Sequence, residues 1–296
     1  MRLNSLKTLL IVNPNSGPLH KRRAIPRVIS YLQDYLPELE IVFTQKSGDA
    51  AALVKNSLLK KVELVFCAGG DGTINEVANQ LYGTAVLLGI IPVGTGNGLA
   101  REIGLSLDPI KAVDQVLNGK VIPVYPGTIN DHRFFLVSGA GFDAFVSYQT
   151  DFHHPRLKKI TGFLSYIMVG IAVGWKYPFS PITARIDGKP CRCYGLLVMK
   201  AKAKIGPFTL AGTLSLQESQ MGVFVFTKKG IWSIARFFFA FLFRCHMTLS
   251  ETPFIFFSQL EAESETPVPV EFDGEQAKPL PTTWEQSKKH VLLIYP

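Results

Sequence analysis

Over the first third of the chain, apolar residues come in short blocks rather than singly. Residues 7–12 (KTLLIV), 39–44 (LEIVFT), 62–67 and 85–92 (AVLLGIIP) are nearly continuous apolar runs bounded by turn residues. Between them, 24–36, 48–60 and 73–82 carry apolar residues at helical spacing, and a further helix begins at 97–103. Apolar runs this short read as strands buried on both faces. Their alternation with helices predicts a parallel sheet covered on both sides.

Near residue 120 the texture changes. Segments 132–138, 181–187, 191–200, 222–227, 246–258, 268–272 and 289–295 are rich in β-branched and aromatic residues and read as strands, with turns at Asp187-Gly188 and Asp273-Gly274. The expected organisation is an α/β domain over 1–125 and a mostly antiparallel, β-sandwich-like domain over 126–296, whose last strand is free to pack back on the first domain. Two strongly apolar segments, 162–175 and 231–243, interrupt the second domain. Neither reaches the ~20 residues that cross a bilayer, and Arg236 breaks the second. Each suits either a buried helix or one lying on a membrane surface.

Composition changes this picture only a little. A chain of 296 residues that is 47% hydrophobic has material for two cores. The net charge of +8 fits a nucleic-acid binder, a protein that sits on anionic membranes, or one with phosphate-bearing substrates. No basic stretch alternates with aromatics along a strand, so no nucleic-acid partner is expected. The four cysteines make no disulfide framework. Cys67 lies in an apolar run, Cys191 and Cys193 form a lone C-x-C, and His153 and His154 have no companions at zinc-ligand spacing. The apolar run Leu9 to Val12 is too short for a signal peptide. A reducing, cytoplasmic setting is expected.

Chemistry concentrates where strands end. Open α/β sheets bind ligands at the carboxyl ends of their strands. Three Gly/Asn-rich loops fall there: Asn13-Pro14-Asn15-Ser16-Gly17, Gly69-Gly70-Asp71-Gly72-Thr73 and Gly94-Thr95-Gly96-Asn97-Gly98. Glycines let the backbone approach a ligand and aim several N–H groups at an anion, and the helix N-termini after the second and third loops add positive dipole ends. The set predicts a phosphate site. Neither common nucleotide fingerprint is present, because no G-x-x-x-x-G-K-[ST] occurs and Leu99 breaks G-x-G-x-x-G. Asp71 is the informative residue: a carboxylate beside phosphate is costly unless a cation bridges them, which points to Mg²⁺ with a nucleotide. Thr73 and Glu76 also read as a capping box, with Thr73 at the N-cap and Glu76 at N3. Asp273-Gly274-Glu275 reads, on its residues alone, as an ordinary hairpin turn.

Taken together the loops resemble the diacylglycerol kinase catalytic-domain family, which includes bacterial soluble lipid kinases and the sphingosine and ceramide kinases. The resemblance runs in order through Asn13–Gly17, Thr44 with Gly48-Asp49-Ala50, Gly69–Thr73 with Asn75-Glu76-Val77, Gly94–Asn97 with Leu99-Ala100-Arg101, Ser138–Ala144, and Asp273-Gly274-Glu275. GGDGT by itself also occurs in NAD kinases and phosphofructokinases; the full series is specific. The resemblance implies an ATP-binding α/β domain of NAD-kinase/diacylglycerol-kinase type, a β-rich lipid-substrate domain, and an active site in the cleft between them. It implies transfer of the ATP γ-phosphoryl to a lipid hydroxyl, with diacylglycerol or a related lipid alcohol as acceptor. Asn13, Asn15, Ser16, Gly17, Thr44, Gly69, Gly70, Asp71, Gly72, Thr73, Asn75, Glu76, Gly94, Thr95, Gly96 and Asn97 would surround the nucleotide, and Asp71 its Mg²⁺. Glu275 would be the general base with Asp273 beside it, which replaces the turn-only reading. A peripheral position on an anionic membrane follows from the lipid substrate, and a homodimer is compatible with the family. Two other functions share features with this chain: an NAD kinase, through GGDGT, and a catalytically silent lipid- or nucleotide-binding regulator.

The sequence departs from the family pattern in three places. Gly98 replaces the usual aspartate or alanine. Pro18-Leu19 precede the basic His20-Lys21-Arg22, which in relatives follow the first loop directly. At 217–222 (QESQMG), bacterial relatives carry an Asp-Asp-Gly-like turn that holds a structural Mg²⁺. The key aspartate falls on Ser219, leaving Glu218 as the one carboxylate available to a metal there.

Overall fold

The structure, a computed structural model, describes residues 3–153, 163–205 and 208–296. His154 and position 162, named above, lie outside the described residues. The chain forms two compact units, Met1–Tyr125 with Lys288–Pro296, and Pro126–Ser287.

The first unit is built on a six-stranded sheet in the order Glu40–Phe43, Thr8–Val12, Leu64–Gly69, Leu87–Pro92, Val291–Tyr295, Lys120–Val124. The first four strands run parallel, and the C-terminal strand pairs parallel with Leu87–Pro92 and antiparallel with Lys120–Val124. Thr8–Val12, Leu64–Gly69 and Leu87–Pro92 are buried at every position, which is why their apolar runs do not alternate. The helices Ile25–Tyr35, Asp49–Leu59, Asp71–Leu81 and Gly98–Glu102 alternate with these strands. One helix beyond the expected set, Pro109–Leu117, has a legible start: Pro109 opens it and the Asp108 carboxylate accepts from Ile110 N and Lys111 N.

The second unit is a sandwich of two antiparallel six-stranded sheets. One has the order Lys189–Cys193, Ile182–Ile186, Gln259–Glu263, Thr282–Gln286, Gly127–Ile129, His132–Phe134; the other Phe254–Phe257, Met221–Val225, Leu196–Met199, Val137–Ala140, Val270–Phe272, Glu275–Ala277. Their inner faces share one core that includes Phe134, Ile182, Val223, Phe257 and Trp284. Trp284 is fully buried, and its indole N–H crosses to Ser138 Oγ on the opposite sheet at 2.9 Å.

Several expected strands are divided or shortened for physical reasons. The strand-like segments 132–138 and 191–200 each break in the middle, because the chain passes there from one sheet to the other. Within 246–258 only Phe254–Phe257 is a strand; His246–Thr248 is a 3₁₀ turn. Arg244, in the left-handed conformation, ends the preceding helix, and His246 packs among Phe224, Phe237 and Phe241 with Nε2 at 2.8 Å from Leu210 O.

Candidate active site

In the first unit the three glycine loops meet backbone to backbone. Gly17 has φ +69°, and a Cβ on it would lie 1.8 Å from the Val93 carbonyl oxygen. A Cβ on Gly94 would lie 2.5 Å from Gly70 Cα. Glycine is therefore required at both positions for the loops to touch. Side chains stitch the contact: Ser16 Oγ accepts from Gly70 N (3.1 Å), Asn13 Nδ2 donates to Thr73 Oγ1 (2.9 Å), and Asn97 Nδ2 donates to Gly94 O (2.7 Å). Asn97 is left-handed and fully buried, and its Oδ1 has no partner among the described residues. Asp71 sits at the first turn of the Asp71–Leu81 helix; its Oδ1 accepts from Gly98 N at 2.7 Å, and Oδ2 lies beside Gly96. Gly72, Asn15, Thr95 and Gly96 are exposed on the rim, and buried Thr44 ends the adjacent strand with its N–H on Val12 O.

Not every expected residue joins this cluster. The capping-box reading of Thr73 and Glu76 is corrected: Gly70 is the N-cap of the Asp71–Leu81 helix, and Thr73 lies inside its first turn. Glu76 instead accepts from Gly48 N and Ala50 N, closing the N-terminus of the Asp49–Leu59 helix. Asn75 accepts from Asn79 Nδ2 on its own helix. Conversely, three basic residues that sequence reasoning did not assign to the site brace the loops. Lys21 Nζ donates to Gly94 O (3.2 Å), Arg22 to Asn15 O and Gly17 O, and Arg101 Nε to Gly96 O. After Pro18, Lys21 and Arg22 lie in the short helix Leu19–Arg22, and both still reach back. Burial, and then the Arg101 guanidinium, hold the Lys21 ammonium below its usual range, while Asp71 pulls it upward.

In the second unit, Asp273 and Glu275 have different placements. Asp273 is held: its carboxylate accepts from Phe135 N, Leu136 N and Val137 N at 2.6, 2.9 and 3.1 Å. It fastens the hairpin to the chain where that chain switches sheets. Glu275 begins the returning strand and is exposed, projecting from the tip that Asp273 anchors. Beside the hairpin opens a cavity of about 580 Å³, lined almost wholly by apolar side chains from Phe142–Tyr148, Phe163–Val173, Ile231–Leu242 and the neighbouring strands. Its polar lining includes Asp143, Glu271, Ser147 and the Gly274 backbone.

Asp143 and Glu271 are hydrogen-bonded to each other. Asp143 is open to the cavity yet ringed by protein, and Glu271 is 4% exposed with its Oε2 on Gly274 N at 2.9 Å. Desolvation pushes Asp143 up to about 6; desolvation and then the Asp143 charge raise Glu271 well above the usual carboxylate range. Both carboxyls bind protons more tightly folded than unfolded. Their contribution to stability is therefore full at low pH and is lost as pH rises from about 4 through 6 and beyond. We expect Glu271→Gln to flatten the fall in Tm between pH 5 and pH 8, measured by thermal unfolding; an unchanged slope would remove the pair from that titration.

The 215–220 loop does not fit the metal that the family pattern implies. Lys200, fully buried, drives its ammonium into this loop, donating to Ser215 O (2.9 Å), Glu218 O (2.7 Å) and Gln220 O (3.4 Å). Glu218 contributes its carbonyl; its side chain is exposed. No group of three metal-ligating side chains occurs among the described residues. Three carbonyls of the loop already face a basic group, and it is part of the chain.

Comparison with known proteins agrees with this architecture. Residues 7–129 match the diacylglycerol kinase catalytic domain. The chain is 27% identical to the diacylglycerol kinase of Bacillus subtilis (97% of this chain, 95% of that one) and 26% identical to that of Staphylococcus carnosus (97% and 94%). The crystal structure of a diacylglycerol kinase from Bacillus anthracis superposes with a TM-score of 0.77 at 24% identity, covering 98% and 97% of the two chains, and shares the fold. Residues 7–129 thus carry the diacylglycerol kinase catalytic domain, and the relatives that match over nearly the whole chain are diacylglycerol kinases. The matched domain and these relatives together support a lipid kinase.

Proposed function

We propose that this enzyme transfers the γ-phosphoryl of ATP to the hydroxyl of a membrane lipid alcohol, with diacylglycerol as the first candidate. The observation that carries this reading is the apolar cavity of about 580 Å³ beside the Asp273-Gly274-Glu275 hairpin. That volume and lining suit the hydrocarbon part of a lipid and give nothing to hold a dinucleotide such as NAD. Phosphoryl transfer needs positioning and charge neutralisation more than covalent chemistry. The loop backbones at Gly17, Asp71–Gly72 and Thr95–Gly96 would supply N–H groups for phosphate oxygens. Asp71 is the residue that would hold Mg²⁺, which when bound neutralises phosphate charge. In the transfer, the Glu275 carboxylate takes the proton of the lipid hydroxyl. The hydroxyl oxygen bonds to the γ-phosphorus, and the β–γ bridging bond breaks with its electron pair leaving on ADP. A positioned base of this kind is worth ~10²–10⁴ in rate.

The cavity reading has a direct test. Ala235 is half-buried in the lining of the cavity. Ala235→Trp should obstruct it and reduce transfer to long-chain diacylglycerol at least about tenfold while ATP affinity, measured by equilibrium binding, stays the same. Full transfer by this variant would put the acceptor elsewhere.

The same helices supply a membrane-facing surface. One face of Ile231–Leu242 buries Phe237, Ala240 and Phe241, while Trp232 and Phe239 on the other face and Phe243 just beyond are 74%, 60% and 79% exposed. Trp175 and Ile171, each 68% exposed, lie near them, and the Trp175 and Trp232 rings meet edge-on at 5.9 Å. Exposed Lys228, Lys229 and Lys176 border this patch. Aromatic side chains beside basic ones fit adsorption to an anionic bilayer. Phe238 is half-buried, so the informative substitution is at Trp232, the more exposed residue near the start of the same helix. Trp232→Glu is expected to cut liposome cosedimentation several-fold and leave ATP binding intact; equal cosedimentation would detach the patch from the membrane.

A further inference from the structure

We infer that Asp143 and Glu271 select the acceptor by charge: the pair admits an uncharged or cationic lipid alcohol into the cavity and turns away one that carries a phosphate. This rests on the lipid-kinase reading and adds to it which lipid alcohols are taken. The two side chains come from different elements, the Phe142–Tyr148 helix and the Val270–Phe272 strand, and converge on the cavity next to Gly274. Glu271 also holds that turn through Gly274 N, so it sits against the hairpin that projects Glu275. An acceptor hydroxyl presented to Glu275 would bring the rest of its headgroup beside the pair.

The chemistry of the pair follows from its surroundings. Two carboxyls in contact within an apolar lining keep one proton between them, because both cannot ionise so close together. The pair then carries a single negative charge, one O–H donor and free acceptor lone pairs. A neutral hydroxyl can donate to it and accept from it; an ammonium is attracted to it. A phosphodiester brings a second negative charge to the same place. Two like charges about 5 Å apart at an effective dielectric near 20 correspond to about a hundredfold loss in affinity. Nothing nearby relieves this, since no Lys, Arg or His lines the cavity among the described residues. The other titratable groups facing the pair are Asp273 from the same hairpin, which adds negative charge, and Tyr166 from the Phe163–Val173 helix. The Ile231–Leu242 helix and the Leu196–Met199 strand present none to the cavity. The arrangement answers a problem that the basic outer patch creates. Lysines that draw the protein to anionic lipid would also concentrate anionic lipids with free hydroxyls, and an acidic gate inside restores the choice.

The test uses monomeric short-chain lipids, so that surface adsorption does not contribute. Binding of dihexanoylglycerol and dihexanoylphosphatidylglycerol, each below its micellar concentration, is followed through the tryptophan fluorescence of the full chain, where Trp175 and Trp232 line the cavity. Wild type should favour the neutral lipid at least about tenfold at pH 8, and the preference should shrink to within about threefold near pH 5, where the pair takes up its second proton. The variant Asp143→Asn with Glu271→Gln should lose the preference at every pH. Glu271→Gln alone, which copies the protonated carboxyl, should keep it. Equal binding of the two lipids by wild type at pH 8, or a pH-independent preference, overturns the proposal without requiring any variant to fold. So does an undiminished preference in the folded double variant. Phosphate transfer is measured in parallel. Selective binding with no transfer would sink the kinase reading and leave the gate standing, and transfer without selection would do the reverse.

Discussion

Glu275→Gln is expected to abolish phosphate transfer, with turnover falling ~10²–10⁴-fold, while ATP affinity changes by no more than a few-fold. The size of the effect follows from the placement of the two hairpin carboxylates. Asp273 has both oxygens occupied by the backbone N–H groups of residues 135–137 and cannot serve as a free base. Glu275 is exposed at the tip and has a side chain long enough to reach an acceptor. Glutamine keeps the shape and loses the proton acceptor, so binding and stability should survive. Steady-state kinetics beside equilibrium ATP binding would separate the roles. Wild-type turnover by Glu275→Gln would remove Glu275 as base. Asp273→Asn should behave differently, losing Tm along with activity.

The second large effect is on stability. Lys200→Met keeps the aliphatic stem and removes the ammonium, leaving the Ser215 and Glu218 carbonyls without their donor. Each such buried acceptor costs about 1–3 kcal/mol, so a loss of about 3 kcal/mol or more is expected. For a domain of this size that is a fall of roughly 10 °C in Tm. The companion result is a negative one: in the absence of nucleotide, EDTA should leave the Tm of the wild type unchanged, because the loop carries its own cation. A marked drop with EDTA, or a Lys200→Met protein as stable as wild type, would contradict this account.

How far the residues alone led is clearest from particular elements. The buried parallel strands were legible because Thr8–Val12, Leu64–Gly69 and Leu87–Pro92 are apolar at all but Thr8, and each ends in a glycine or asparagine loop. The strand Gln259–Glu263 was not: three of its five residues are polar and face solvent, and only Leu260 and Ala262 turn inward. Division of the 132–138 and 191–200 segments could not be read, since the residues at the crossings, Phe135-Leu136 and Tyr194-Gly195, include no Pro, Asn or Asp to mark a turn. At the site, the glycine loops announced themselves, but their bracing did not: Lys21 reaches the distant Gly94 carbonyl, and Arg22 and Arg101 fold back on carbonyls five to seven residues earlier that no spacing rule marks. Glu76 shows the converse. Its spacing from Thr73 matched a capping box, yet the tertiary partner at Gly48–Ala50 took the carboxylate. Glu271 gave no signal at all. One position in a short strand says nothing about the carboxylate it will meet on a helix packed against it.

The most direct measurement is transfer of label from γ-labelled ATP, with Mg²⁺, to lipids in mixed micelles. The panel would hold diacylglycerol, monoacylglycerol, phosphatidylglycerol, a sphingoid base, ceramide and a polyprenol, with NAD as a soluble control. The account predicts label on a neutral glycerolipid, diacylglycerol first, and none on NAD. Label on NAD alone, or on no lipid while ATP still binds, would contradict it.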